Sequence, residues 1–160
     1  MVVIQCQTGD NIVVQADTLI EVDLSGMNLH RALLDGQTLR RARLIGTELR
    51  SAWLESADFS EADLTRAVLF SCVAPRAIFR RARLTDAVLS TAIFDGADFT
   101  EAQLQGAKVD LASFKGAVLR RANMKCTGLE KVDLRGTIAD QSTAWPDGFD
   151  PVKHGVQIER

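Results

Sequence analysis

Ala57-Asp58-Phe59-Ser60-Glu61, followed without a break by Ala62-Asp63-Leu64-Thr65-Arg66, decides how this chain folds. Each block of five opens on a small residue, carries a large apolar one at its third position, and is polar elsewhere. The pattern holds outward in both directions. Every fifth position from Leu19 to Leu134 is large and apolar except Ala74, and the residue two before it is usually alanine. A period of five matches neither the 3.6-residue repeat of an amphipathic helix nor the two-residue alternation of a half-buried strand. The chain must therefore turn a corner once per block, and stacked coils follow.

The number of sides can be read from the outward positions. With four blocks per coil, residues twenty apart lie above one another at the strand spacing of about 4.8 Å. At that step one outward column reads Arg41, Glu61, Arg81, Glu101, Arg121 and another reads Asp23, Arg43, Asp63, Arg83, so opposite charges alternate. Inward, Phe59, Phe79 and Phe99 stack on one side, and Phe94 and Phe114 on the next. A step of fifteen gives Arg41, Ser56, Ser71 and destroys the alternation. Four sides are expected.

These blocks, together with Ala97-Asp98-Phe99-Thr100-Glu101, resemble the A(D/N)LXX units of pentapeptide-repeat proteins. The resemblance implies an all-β fold, a right-handed quadrilateral parallel β-helix, here of about six coils. It does not imply an activity, because the family is a scaffold class.

The expected division is an N-terminal hairpin-like cap over 1–16, the repeats over 17–138 and a capping tail over 139–160. Val2-Val3-Ile4-Gln5-Cys6-Gln7 and Asn11-Ile12-Val13-Val14-Gln15 flank Thr8-Gly9-Asp10, as two strands around a tight turn would. A solenoid exposes an apolar cross-section at each end, so caps are required for solubility. In the tail, Trp145 and Phe149 sit in the Thr143–Pro151 stretch, which is similar to TxWPxGFDP tails that follow the repeats in some bacterial and photosynthetic-lineage family members. A lid on the last coil is the favoured reading of these two aromatics, with a ligand pocket as the alternative.

Composition narrows function. The formal net charge of −2 opposes both a nucleic-acid-binding face and a strongly acidic surface. Three cysteines, Cys6, Cys72 and Cys126, have no paired or metal-ligand spacing, so neither a disulfide framework nor a metal site is expected. A cytoplasmic setting is expected, since there is no leader-like start and no apolar run of membrane-spanning length. Phosphate-loop, dinucleotide and zinc-protease motifs are all missing, and an interior of Ala and Leu leaves no cleft for convergent polar groups. Neither an enzyme, a cofactor nor a small-molecule substrate is expected.

Two outward columns stand out. Arg40, Arg80 and Arg120 alternate with Ser60 and Thr100 in a column without acids, which reads either as part of a register-fixing ladder or as an anion-binding face. Leu33, Trp53, Val73 and Ile93 all occupy the place where the family has Asp or Asn, and stack at step twenty; Val68, Phe70 and Val88 point outward around the corner. Contiguous apolar patches containing Trp and Phe often mark interfaces. The competing readings are strand decoration and cover by the N-terminal strands. The leading expectation is a non-enzymatic scaffold that binds a protein partner or itself through the face carrying Trp53. The alternative, which the resemblance supplies, is a DNA-mimicking topoisomerase modulator of the quinolone-resistance type, and it calls for a strongly acidic rod.

Overall fold

The computed structural model describes residues 1–160. The repeats form a four-sided β-helix in which each side is a ladder of parallel pairs twenty residues apart. The first face runs through Asp23, Arg43, Asp63, Arg83, Gln103 and Asn123, the second through Asn28, Glu48, Val68, Val88 and Lys108. The third runs through Leu33, Trp53, Val73, Ile93, Ser113 and Asp133, the fourth through Thr38, Asp58, Ile78, Asp98, Val118 and Ile138. Every rung is held from both sides: the Trp53 strand donates from Trp53 N to Ala32 O at 2.9 Å and from Leu54 N to Val73 O at 2.7 Å. Of 102 backbone hydrogen bonds only 6 lie inside extended strands, so the fold rests on single rungs and corners.

The corners explain the remaining positions of the block. Ala57 N donates back to Leu54 O at 3.0 Å, closing a turn whose third residue, Ser56, has φ 54°. Fifteen non-glycine residues adopt this left-handed conformation, which is costly for side chains with a Cβ. The stack holds them there, because the same residue's N–H reaches the next coil, as Glu61 N does to Arg80 O at 2.8 Å. The Asp or Asn of the block has a local role. Asp58 Oδ1 accepts from Ser60 N at 2.9 Å and Asp63 Oδ1 from Thr65 N at 3.0 Å, an Asx turn that satisfies the first corner N–H.

Inside, the small and large residues of each block are almost all fully buried. Phe59 and Phe79 stack at 5.2 Å, Phe79 and Phe99 at 4.7 Å, and Phe94 lies edge-on to Phe79 at 5.7 Å. Ala74 is also buried, beside the equally buried Cys72, and its corner bond from Ala77 N is stretched to 3.3 Å. Where threonine replaces alanine, the hydroxyl is satisfied: Thr47 Oγ1 donates to Leu24 O at 2.9 Å and Thr137 Oγ1 to Phe114 O at 2.8 Å.

The register slips within the repeats and again at the tail, where Asn123 pairs with Ala144 twenty-one residues on. Lys108 pairs with Thr127, nineteen residues on, and Ser113 pairs with Asp133, again twenty on. A short block after Asn123 is compensated by a 3-10 turn at Leu129–Lys131, entered through Gly128 at φ 86°. A Cβ there would lie 2.5 Å from the Asp110 carboxyl carbon, at the end of an exposed side chain that can shift, so it is the left-handed backbone that calls for glycine.

Both ends are closed. Strands β1 (Val2–Ile4) and β2 (Ile12–Val14) form an antiparallel hairpin, and the chain beyond β1 pairs antiparallel with the first coil through Cys6 and Ala32. At the other end the tail is more than a loop. Ala144 pairs with Asn123, and β3 (Ile138–Asp140) pairs in parallel with β4 (Gln157–Glu159), adding another rung to the fourth face. Trp145 and Phe149 pack half-buried against the core with ring centroids 5.4 Å apart, and His154 stacks on Phe149 at 4.6 Å.

Candidate functional site

The apolar column lies where the block pattern places it, on the outer side of the third face. Leu33, Trp53 and Ile93 are 37%, 40% and 40% exposed, and Val73 between them is half-buried. Phe70 is exposed at the preceding corner with the Arg50 guanidinium 5.7 Å from its ring centre. Val68 and Val88 pair with each other on the second face and are half-buried. The strip and these three residues therefore share one corner of the rod.

Placing apolar residues at this position removes the Asx acceptor from the following corner, and two of the four corners show how the loss is made good. After Trp53, Glu55 N donates instead to Asp35 Oδ1 of the coil above, at 2.7 Å. After Val73 the corner residue is Pro75, which has no N–H to satisfy. The acceptor is missing elsewhere too, at Arg43, Val68, Ile78, Arg83, Val88 and Val118, so what sets this face apart is four successive apolar residues in the outward place, one of them Trp.

The N-terminal hairpin abuts the strip without hiding it. Leu33 N donates to Gln5 O at 2.8 Å, and a shallow groove of about 170 Å³ is lined by Val2, Val3, Ile4, Leu19, Leu33 and Leu34, among others. Val3 and its pairing partner Val13 are about half exposed and extend the apolar surface beyond the first coil. Sequence reasoning assigned these two valines only to the cap. Their signal was the alternation of Val2-Val3-Ile4, which turns Val3 away from the buried Ile4.

The arginine column has different surroundings from those the column alone implies. Arg40 and Arg80 have no acid above or below, but each meets one from the side, Arg40 Nε lying 3.8 Å from Asp58 and Arg80 Nε 3.1 Å from Asp98; Arg120 has Asp140 next in its own column and its Nε lies 2.7 Å from Glu159 on the strand beyond. In the next column Glu101 bridges Arg81 at 2.8 Å and Arg121 at 2.9 Å. The hydrogen bond from Arg81 holds the Glu101 carboxyl below its ordinary range, and that from Arg120 does the same for Glu159. Between these side chains lies an open polar groove of about 290 Å³ with no apolar lining. Its hydroxyls are engaged as well, since Ser60 Oγ donates to Asp58 at 2.5 Å and Thr100 Oγ1 to Asp98 at 2.6 Å. The geometry is that of a satisfied charge ladder.

Chemistry is sparse elsewhere. No group of three or more His, Cys, Asp and Glu is placed to hold a metal ion, and no helix is long and apolar enough to cross a membrane. All three cysteines are buried, and burial pushes the Cys126 thiol up to about 12 and the Cys72 thiol higher. None of the three thiols is activated by its setting.

The pattern that defines the Pentapeptide repeats family matches the chain in eight copies, over 19–52, 46–85, 77–116 and 112–138. Among solved structures, the chain is similar to alr5209, a pentapeptide repeat protein from Nostoc PCC 7120, at 27% identity and TM-score 0.54, over 76% of this chain and 84% of that one. It is also similar to HetL, a pentapeptide repeat protein involved in heterocyst differentiation regulation from Nostoc sp. strain PCC 7120, at 28% identity and TM-score 0.39, over 79% and 63%. A trypsin-treated variant of QnrB1, a plasmid-mediated fluoroquinolone resistance protein, aligns at 18% identity and TM-score 0.50 over 80% and 77%, a likeness of fold. No curated protein matches. With its family pattern running through the whole of the four-sided stack, from Leu19 to Ile138, the chain belongs to the Pentapeptide repeats family.

Proposed function

We propose that this repeat scaffold works by binding, and that its binding surface is the third face around Trp53. The observation that carries the reading is the unbroken run of apolar residues, Leu33, Trp53, Val73 and Ile93, in the outward place of four successive coils, three of them more than a third exposed. Trp is the side chain most enriched at interface hot spots, and here it is central to the strip. The topoisomerase-modulator reading draws less support, because the net charge is only −2 and the arginine-bearing corner is charge-paired.

The test is partner capture from a native lysate with wild type and Trp53→Asp. An outward Trp leaves no cavity, so the variant is expected to keep its melting temperature within a few degrees while losing at least thirtyfold in affinity, on the order of 2 kcal/mol. Identical bound material would reduce the strip to strand decoration. A parallel supercoiling assay with a type II topoisomerase should show no effect of the wild-type protein, and clear protection would favour the alternative.

A further inference from the structure

The two corners that bound the third face carry charge in opposite order along the rod. On the corner entering the face, Arg31 and Arg50 mark the first two coils and Asp110 the fifth. On the corner leaving it, Asp35 and Glu55 mark the first two coils and Lys115 the fifth. In these three coils the entering corner is therefore the opposite of the leaving corner at the same height. The other three coils set a single charge against a corner that is uncharged or internally balanced. Several of these groups also have partners within the chain, with Glu55 paired to Arg76, Arg50 3.6 Å from Glu48, Asp110 3.4 Å from Lys131 and Lys115 3.7 Å from Asp133. All are solvent-exposed contacts that a second partner can share.

Only one packing of two copies uses this order. A two-fold axis parallel to the rod, lying between two third faces, brings the entering corner of one copy against the leaving corner of the other at equal height. Arg31 then meets Asp35, Arg50 meets Glu55 and Asp110 meets Lys115, each twice by symmetry. The same operation lays Leu33, Trp53, Val73, Ile93 and Ser113 each on its own counterpart along the axis, with Val3 and Val13 continuing the apolar contact at one end; at the other end it brings the two Asp133 carboxylates together, each held by Lys115 and Arg135 of its own chain. An antiparallel packing that keeps strip on strip gains Glu55 against Arg76 but sets Asp35 against Asp95, forgoes the Arg31, Arg50 and Lys115 pairs, and leaves the fifth and sixth coils without a partner.

We infer that the partner of the third face is a second copy of this chain, in a parallel, side-by-side dimer with Trp53 on its two-fold axis. The inference rests on the reading of that face as an interface and adds the identity and orientation of what covers it. Six rungs at about 4.8 Å and three residues at about 3.3 Å each give a flat contact of roughly 300 Å² per copy. That is below the ~800 Å² per partner of standard complexes, so the dimer is weak and forms only at high protein concentration.

Ser113→Cys tests the geometry, because the native thiols Cys6, Cys72 and Cys126 are all buried. In the parallel dimer Ser113 lies on the axis, and oxidation at roughly 0.5 mM protein should give a covalent dimer. In the antiparallel packing the two copies of this residue are about five rungs, or ~24 Å, apart and cannot join. A charge exchange tests the corners: Glu55→Arg should weaken association, measured by sedimentation equilibrium, about threefold to tenfold. Arg50→Glu combined with Glu55→Arg should restore it. A chain that stays monomeric up to about 1 mM, or a Ser113→Cys variant that fails to join while Leu33→Cys and Ile93→Cys join each other, overturns the parallel dimer. If monomeric protein still captures a partner from lysate through Trp53, the dimer fails while the broader interface reading stands.

Discussion

Phe79→Ala removes the middle ring of the interior ladder, and its cost can be worked from the packing. The side chain is fully buried, with rings at 5.2 and 4.7 Å on its two faces and a third edge-on at 5.7 Å. Lost burial, at about 25 cal/mol per Å² over roughly 150 Å², is near 4 kcal/mol, consistent with the ~3–5 kcal/mol of buried Phe truncations. Stacking beyond area adds about 0.5–1.5 kcal/mol for each ring partner, which places the loss toward the upper end. For a chain of this size each kcal/mol moves the melting temperature about 2–4 °C, so a fall on the order of 10–15 °C is expected. A stacked array also transmits stability only between neighbours, so a hole in the middle coils should broaden the transition. Urea and thermal melts of Phe79→Ala beside the outward control Thr85→Ala provide the assay. Equal midpoints and equal slopes in the two variants would refute the inward assignment and the coupling between coils.

Ala74→Leu restores the large centre residue found in the other blocks and is expected to hold or raise the melting temperature; a loss of about 1–3 kcal/mol would show that Cys72 and the nearby phenylalanines already fill the space. Leu111 is 66% exposed and left-handed at φ 59°, so Leu111→Asn should gain up to about 1 kcal/mol, and a lower midpoint would contradict the strain argument. The paired contacts of Arg135 with Asp133 hold that carboxyl below its ordinary range. Its folded-state value lies under its unfolded one, so the stabilisation is complete above the unfolded value, about 4, and is lost as the pH falls further. Melting temperatures followed from pH 7 to pH 2 should drop in the acid limb, and Asp133→Asn should flatten that drop. All three thiols are buried, so iodoacetamide should label none in the native protein at pH 8 and three after denaturation; rapid native labelling of Cys72 would contradict the packing of the middle coils.

The inward half of this protein was legible in its sequence because a five-residue block leaves one inward solution. Once Leu54 and Phe59 are inside, the corner at Glu55-Ser56 and the outward course of Trp53 and Asp58 follow. The step of twenty was legible for a different reason, the alternation of Arg81, Glu101 and Arg121, which are ion-paired in space. Lateral neighbours were not legible. Arg80 looked free of acids because a column shows only what lies above and below, whereas Asp98 reaches it from the adjoining column. Arg120 meets Glu159 across a tail whose return to the fourth face no repeat predicts. The local purpose of Asp58, as acceptor for the Ser60 N–H, emerged only from the turn geometry, and with it the meaning of an apolar residue in the same place.

Trp53 itself reports most directly on whether the third face is a binding surface. The chain has two tryptophans, so in a Trp145→Phe background all tryptophan emission comes from residue 53. At micromolar concentration the indole, 40% exposed, should be readily quenched by acrylamide. Raising the protein to about 1 mM, where a weak dimer forms, should shield it and shift its emission to the blue. A quenching constant and emission maximum unchanged over that range, together with capture from native lysate unaffected by Trp53→Asp, would contradict the assignment of this face.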